Sequence, residues 1–179
     1  STNVDLFTVG IDGARTQCLT ASNKGFDGSP AWSPDGKSIA YLSQARDGYE
    51  ADRFRLAVLD RAAGRTTYLA QDADICVGEF HWAPDSRSLW IVGEDEGLFS
   101  HFRAAAPGAP GGTVKVFAQT GFSAVDRPAA GGFLVGIVQS MVRPPEVARL
   151  DLAASAGPGA APEPRRLTGF NDDLLARKD

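Results

Sequence analysis

Few side chains in this chain of 179 residues could support nucleophilic catalysis. Its two histidines are His81 and His101, and the string most like a Gly-x-Ser-x-Gly elbow, residues 121–125, ends in Val instead of Gly. A serine hydrolase needs its serine on a sharp turn with a histidine base beside it. The sequence therefore assigns no catalytic residue and places residues 121–125 in a turn. We expect a core position for His81, and for His101 the surface or a neighbouring repeat.

Potential metal ligands occur as short acidic runs in predicted loops, namely Asp72 with Asp74, and residues 94–96. Adjacent loop carboxylates are usually solvated, so the sequence assigns no metal and no cofactor. Cys18 and Cys76 are far apart, with no Cys-x-x-Cys motif beside them. We expect two separate thiols, which do not distinguish a cytoplasmic from a periplasmic location.

The bulk composition is that of a globular domain, with 43% hydrophobic and 22% charged residues. The net charge is −4 and the 18 basic residues are scattered, so no stripe could follow a phosphate backbone. No apolar run reaches the roughly 20 residues that a membrane helix requires. The composition therefore predicts neither a nucleic-acid partner nor a membrane partner.

A turn motif repeats after roughly 50 residues, and it is flanked by apolar strand patterns. A third, decayed copy begins near Pro128 and keeps neither the Trp nor the Asp. Pro fixes φ at the second position of a type I turn, and Gly closes that turn. The motif residues are Trp32, Pro34, Asp35 and Gly36 in the first copy, and Trp82, Pro84 and Asp85 in the second.

Four short antiparallel strands per repeat are typical of a propeller blade. The pattern predicts an all-β partial propeller of about three and a half four-stranded blades. Trp32, Trp82 and Trp90 should pack between blades, with Trp32 and Trp82 buried at equivalent places. The one predicted helix begins at Asn171, its expected N-cap. We place a half blade at 4–20, blades at about 29–70, 79–118 and 125–168, and the start of a linker at 171–179.

The string Trp-Ser-Pro-Asp-Gly, followed by Lys-x-Ile-Ala-Tyr-Leu, resembles a blade motif found in two groups of proteins. One is the propellers of the prolyl oligopeptidase family, and the other is the bacterial Tol-system propeller. The C-terminal third is similar to the late propeller of the acylaminoacyl-peptidase and dipeptidyl-peptidase branch. The segments that carry this second similarity are residues 139–151 and 166–175.

The peptidase resemblance implies a non-catalytic propeller that limits the access of peptide substrates. It also implies an α/β-hydrolase domain beyond this chain, which the propeller braces and which carries the Ser, Asp and His triad. Tyr49, Glu50 and Arg53, on a long charged connection, are candidates for lining the substrate cavity. The Tol-type alternative is a protein-binding scaffold. In either case, the open ends of a partial propeller favour self-association.

Overall fold

The computed structural model describes residues 3–126, 132–151 and 163–176, which form fourteen strands and one short helix. The N-terminal sheet contains β1 (Phe7–Thr8) and β2 (Gln17–Cys18). Sheet I contains β3 (Asp27–Trp32), β4 (Ser38–Ser43), β5 (Arg55–Asp60) and β6 (Arg65–Leu69). Sheet II contains β7 (Cys76–Trp82), β8 (Ser88–Asp95), β9 (Leu98–Ala105) and β10 (Thr113–Thr120). Sheet III contains β11 (Phe122–Asp126), β12 (Phe133–Ser140), β13 (Arg143–Asp151) and β14 (Arg165–Arg166).

Each four-stranded sheet is an antiparallel meander whose strands pair in chain order. The all-β class predicted from the sequence is therefore confirmed. The decayed turn near Pro128 lies outside the described residues, as do the last three residues of the expected linker. Within the described residues, no helix is long and apolar enough to cross a membrane.

Strand β4 shows why these sheets pack face to face. Ala40 and Leu42 belong to an apolar cluster shared with sheet II, whereas Tyr41 packs with Leu6 beside the N-terminal sheet. Successive side chains of a strand point to opposite faces, so a continuous apolar run supplies two interfaces. Sheet I is therefore buried on both faces, as an interior propeller blade must be.

The repeated turn is held by its aspartate. The Asp35 carboxylate accepts hydrogen bonds from the Ser33 hydroxyl (2.7 Å) and from the Lys37 backbone N–H (3.1 Å). The Ser33 hydroxyl is the main reason that the pKa of Asp35 lies below its ordinary value, and the Lys37 N–H adds to the effect. Gly36 adopts a φ of 70°, which glycine tolerates better than other residues. The turn is thus fixed by side-chain and backbone chemistry together.

The second copy forms an equivalent turn. The Asp85 carboxylate accepts a hydrogen bond from the backbone N–H of Arg87 (2.9 Å). Ser86 takes the left-handed position with a φ of 59°, and its hydroxyl accepts a hydrogen bond from the Asp35 N–H (3.1 Å). The turns of two successive sheets are therefore linked directly.

Trp32 and Trp82 occupy equivalent register positions, opposite Ile39 and Leu89 respectively. The Trp82 indole N–H donates to the carbonyl of Ala31 in the preceding sheet (3.2 Å). Trp32 is 52% exposed, so its predicted burial is wrong. The sheet that precedes Trp32 has two strands in the described residues. Neither strand offers the Trp32 indole an acceptor equivalent to the Ala31 carbonyl that Trp82 uses.

The predicted helix is present as α1 (Asp172–Leu175). Asn171 stands at its N-cap position but makes no side-chain capping bond, so the expected capping role is wrong. Its side-chain amide donates instead to the Glu146 carboxylate (3.2 Å), which also accepts a hydrogen bond from the Thr168 hydroxyl. Tertiary contact with β13 has thus replaced local capping.

Candidate functional site

The connection between β4 and β5, residues 44–54, is a closed loop that we call the rim loop. The Gln44 side-chain amide donates to the carbonyls of Glu50 (3.2 Å) and Asp52 (2.6 Å). The Asp52 carboxylate accepts from the backbone N–H groups of Ala45 (2.7 Å) and Arg46 (3.0 Å). A loop whose two ends are tied in this way is typical of compact functional loops.

Asp52 is the charged anchor of the rim loop. Partial burial acts to raise its pKa, but the hydrogen bonds from Ala45 and Arg46 outweigh it and hold the pKa below the ordinary value. Arg53, near the end of the loop, forms an ion pair with Asp74 (3.2 Å), which lies in the lead-in to sheet II. The loop is therefore fastened to its own sheet and to the next one.

The three predicted cavity residues all lie on the rim loop. Tyr49 is 48% exposed and carries the Arg46 guanidinium 5.2 Å from its ring centre. Glu50 is exposed, and Arg53 is exposed within its ion pair. The loop thus presents an aromatic ring, a carboxylate and a guanidinium to solvent, a set that could contact a polar peptide.

A cavity of about 420 Å³ opens between the first strands of sheets I and II, and we call it the inner cleft. Both strands depart from regular pairing here, between Gly28 and Ala31 and between Val77 and Glu79. Such bulges redirect side chains and occur often beside functional sites. The lining residues are Ser29, Ala31, Leu42, Gly78, Glu79, Phe80 and His81.

His81 is half-buried at the wall of the inner cleft, so the expectation of a core histidine is wrong. The bulge that carries Glu79 and His81 to the cleft depends on strand pairing, which the local sequence does not reveal. The cleft combines one carboxylate and one imidazole with apolar walls. This arrangement suits binding of a small polar group next to an apolar one.

His101 is fully buried between sheets II and III. The Trp90 indole N–H donates to its Nδ1 (3.3 Å), which leaves Nε2 as the donor to the Phe122 carbonyl (3.0 Å). Burial lowers its pKa to about 4, against a smaller raising effect of the Phe122 bond. The expected contact with a neighbouring repeat is confirmed and the surface alternative is wrong. The His101 imidazole is buried and hydrogen-bonded at both ring nitrogens, so its role here is structural.

Ser123, in the elbow-like string, pairs with Ile137 inside sheet III, so the predicted turn is wrong. A nucleophile elbow requires a strand-to-helix turn, which this position does not provide.

The acidic residues that were considered as potential metal ligands make separate contacts. Asp95 accepts a hydrogen bond from the Ser100 hydroxyl (2.8 Å), while Asp74 pairs with Arg53. The two cysteines are separate, half-buried thiols. In the part of the chain that the structure describes, no three His, Cys, Asp or Glu residues group as a metal site.

Three meander sheets stacked through two-faced strands define an arc of a β-propeller, and comparisons with solved structures agree. The propeller domain of the Trilobed protease from Pyrococcus furiosus superposes with a TM-score of 0.64 at 16% identity. That match covers 96% of this chain and 45% of the other. TolB from Acinetobacter baumannii superposes with a TM-score of 0.53 at 15% identity, over 92% of this chain and 48% of the other. The predicted partial propeller is confirmed.

Sequence comparison identifies the relatives. Dipeptidyl-peptidase 5 from Porphyromonas gingivalis is 41% identical over 92 residues, which are 51% of this chain. The match spans 14% of that relative's length. No family model matches the chain. The predicted resemblance to peptidases of this type is confirmed by this relative.

Proposed function

We propose that this chain forms the later part of the propeller of a prolyl oligopeptidase-type serine peptidase. In this role it restricts the access of peptide substrates and braces an α/β-hydrolase domain encoded elsewhere in the parent protein. The observation that carries the proposal is the 41% identity to a dipeptidyl-peptidase 5 over half of the chain. The chain supplies no nucleophile elbow of its own.

The position of the rim loop supports a role in substrate access. In an antiparallel meander, the second-to-third strand connection and the exit of the fourth strand lie at the same end of the sheet. The Arg53–Asp74 ion pair joins these two connections directly. Tyr49 and Glu50 therefore stand on one rim, where an entering peptide would contact them.

The C-terminal segment supports a bracing role. The Arg166 guanidinium binds both carboxylate oxygens of Asp172 (2.8 and 3.2 Å), which fixes α1 against β14. Phe170 is 82% exposed and Leu174 is 61% exposed beside that anchor. A rigid turn that displays two apolar side chains suits contact with a neighbouring domain.

Aromatic side chains at the two ends of the arc support the self-association expected from the sequence. Self-association itself stays a prediction. At one end Trp32 is exposed, and at the other Phe133 is half-buried under the Arg149 guanidinium, 3.9 Å from its ring centre. Light scattering at micromolar concentration measures the outcome, and a monomer of 18.9 kDa would contradict it.

A second candidate function is a protein-binding scaffold of the Tol-system type. The observation that favours it is the superposition of TolB over 92% of this chain. In that role the same rim would bind a folded protein partner, and the parent protein would hydrolyse no peptide.

The test uses the complete natural protein and two peptide substrates, a dipeptidyl nitroanilide and a longer peptide. A peptidase should hydrolyse the dipeptidyl substrate, whereas the 179-residue chain alone should give only background. Replacing both Tyr49 and Glu50 with Ala should change the ratio of kcat/KM between the two substrates by about tenfold, equivalent to about 1.4 kcal/mol.

The matched control replaces Arg61 and Arg65 with Ala at the opposite end of sheet I, where the ratio should not change. A complete protein that lacks hydrolysis sensitive to a serine-reactive phosphonate would overturn the peptidase proposal and favour the scaffold. Retained hydrolysis with an unchanged ratio in the rim-loop variant would remove only the access role.

A further inference from the structure

Two aspartates lie side by side where the N-terminal segment meets sheet I. Val4 and Phe26 form a parallel bridge, and the Asp27 N–H donates to the Val4 carbonyl (2.8 Å). Residues in register on parallel strands share a face, and neighbouring strands lie about 4.8 Å apart. The next pair along, Asp5 and Asp27, therefore places two carboxylates on the same face at close range.

Neutral oxygens complete the wall around these carboxylates. The Thr20 hydroxyl donates to Asp5 Oδ1 (3.0 Å), and the Asn23 amide donates to Asp27 Oδ1 (2.9 Å) and Ser43 Oγ (3.3 Å). Asp27 and Ser43 are 0% exposed. The second carboxylate oxygen of Asp27 is buried and has no hydrogen-bond partner.

No positive charge compensates this pocket within the described residues. The ion pairs there involve neither Asp5 nor Asp27. An ionised carboxylate without a partner is costly to bury.

The next repeat forms two equivalent backbone bonds without these polar side chains. Its Val77 N–H donates to the Phe54 carbonyl (2.9 Å), as Asp27 does to Val4. Its turn closes with a bond from the Ala73 N–H to the Ala70 carbonyl (3.2 Å), as Asn23 does to Thr20 (2.8 Å). Yet the side chains equivalent to Thr20, Asn23, Asp27 and Ser43 are Ala70, Ala73, Val77 and Gly93.

The same backbone arrangement therefore carries apolar residues at these positions in the second repeat and oxygen-bearing side chains in the first. Ala70 and Val77 belong to the apolar cluster between sheets I and II, which is the ordinary solution at these positions. Packing alone gives no reason for a buried Asp at the place of Val77. A bound ligand gives one, because oxygens and negative charge are what a hard cation prefers.

We propose that Asp5, Asp27, Thr20 and Ser43 form a binding site for a hard divalent cation of the calcium type. The two carboxylates match its charge, and the hydroxyls and water complete its oxygen shell. The cation fastens the N-terminal segment to sheet I and needs no peptidase activity to do so. Local sequence patterns do not reveal this site, because its ligands lie on separate turns and strands and form no contiguous motif.

Thermal unfolding of the chain in CaCl2, MgCl2 and NaCl at matched ionic strength tests the site. Ca2+ should raise Tm by about 5–10 °C at a free concentration about 100 times Kd. Mg2+ should act more weakly, because it demands a stricter octahedral geometry. Tb3+ luminescence gives a second readout, and Ca2+ should displace the bound Tb3+.

Two variants and one control make the result specific. Asp27→Asn keeps the shape and removes the charge, while Asp27→Val copies the residue of the next repeat. Both should lose the Ca2+ response and the Tb3+ signal, and Asp72→Asn, at an exposed carboxylate, should retain them. A wild-type chain with neither response overturns the proposal, and so does a Ca2+ response that survives in Asp27→Val.

Discussion

The interface between sheets I and II and the interface between sheets II and III contain different chemistry. Among the described residues, the first encloses twelve buried apolar residues, and one of its polar links is the Trp82 indole bonded to the Ala31 carbonyl. The second encloses six described buried apolar residues and places the His101 imidazole between Trp90 and Phe122. Propeller packing thus tolerates both a mainly apolar interface and one that contains a buried titratable imidazole. The two seams should therefore respond differently to truncation and to pH.

The largest effect should come from Phe122→Ala in the second seam, which is the interface between sheets II and III. The Phe122 side chain is fully buried, with its ring centre 5.6 Å from that of His101. Its loss should cost about 3–5 kcal/mol in the free energy of unfolding, because a cavity is left in a small cluster. Urea unfolding measures this cost. Phe170→Ala, at a ring that is 82% exposed, is the control and should change stability by less than about 0.5 kcal/mol.

A cost below about 1 kcal/mol for Phe122→Ala would mean that sheet III does not depend on the second seam.

The next effect concerns the two equivalent tryptophans. Trp82→Ala removes partly buried packing and the bond to Ala31, and should cost about 3 kcal/mol. Trp32→Ala removes an exposed ring and its contact with the Arg61 guanidinium, 4.7 Å from the ring centre, and should cost about 1 kcal/mol or less. Chemical denaturation of both variants gives the comparison. Equal costs would show that Trp32 is covered in solution, for example by a second copy.

The smallest effect is the pH dependence of the second seam. The folded pKa of His101 is about 4, against 6.5 for an unperturbed histidine, so the unfolded chain binds the proton more readily. Its contribution to stability is complete above pH 6.5 and is lost as pH falls toward 4. Between pH 7 and pH 5 the loss should be about 2 kcal/mol.

His101→Gln should remove that part of the pH dependence, whereas His81→Gln, at the half-buried wall of the inner cleft, should retain it. An identical pH profile in wild type and His101→Gln would mean that His101 is accessible to protons in the folded chain.

The all-β class and the repeated blade could be predicted from the sequence, because both depend on local rules. Alternation of side chains sets strand faces, and proline and glycine set the turn between Trp32 and Ser38. Another local pattern, an asparagine followed by two acidic residues, indicated the helix at Asp172, although Asn171 makes no capping bond. The rim loop was visible for the same reason, since a long charged stretch between two strands must form a connection.

Which side chains are buried, and which of them contact each other, depends on tertiary contacts. Trp32 and Trp82 have the same local sequence context but different exposure, because burial depends on the neighbouring sheet. His101 became a buried strut through contact with Phe122, 21 residues further along the chain. Asp5 and Asp27 became neighbours through a parallel bridge. These contacts connect strands that are distant in sequence, and no local pattern of residue types encodes which partner each side chain will have.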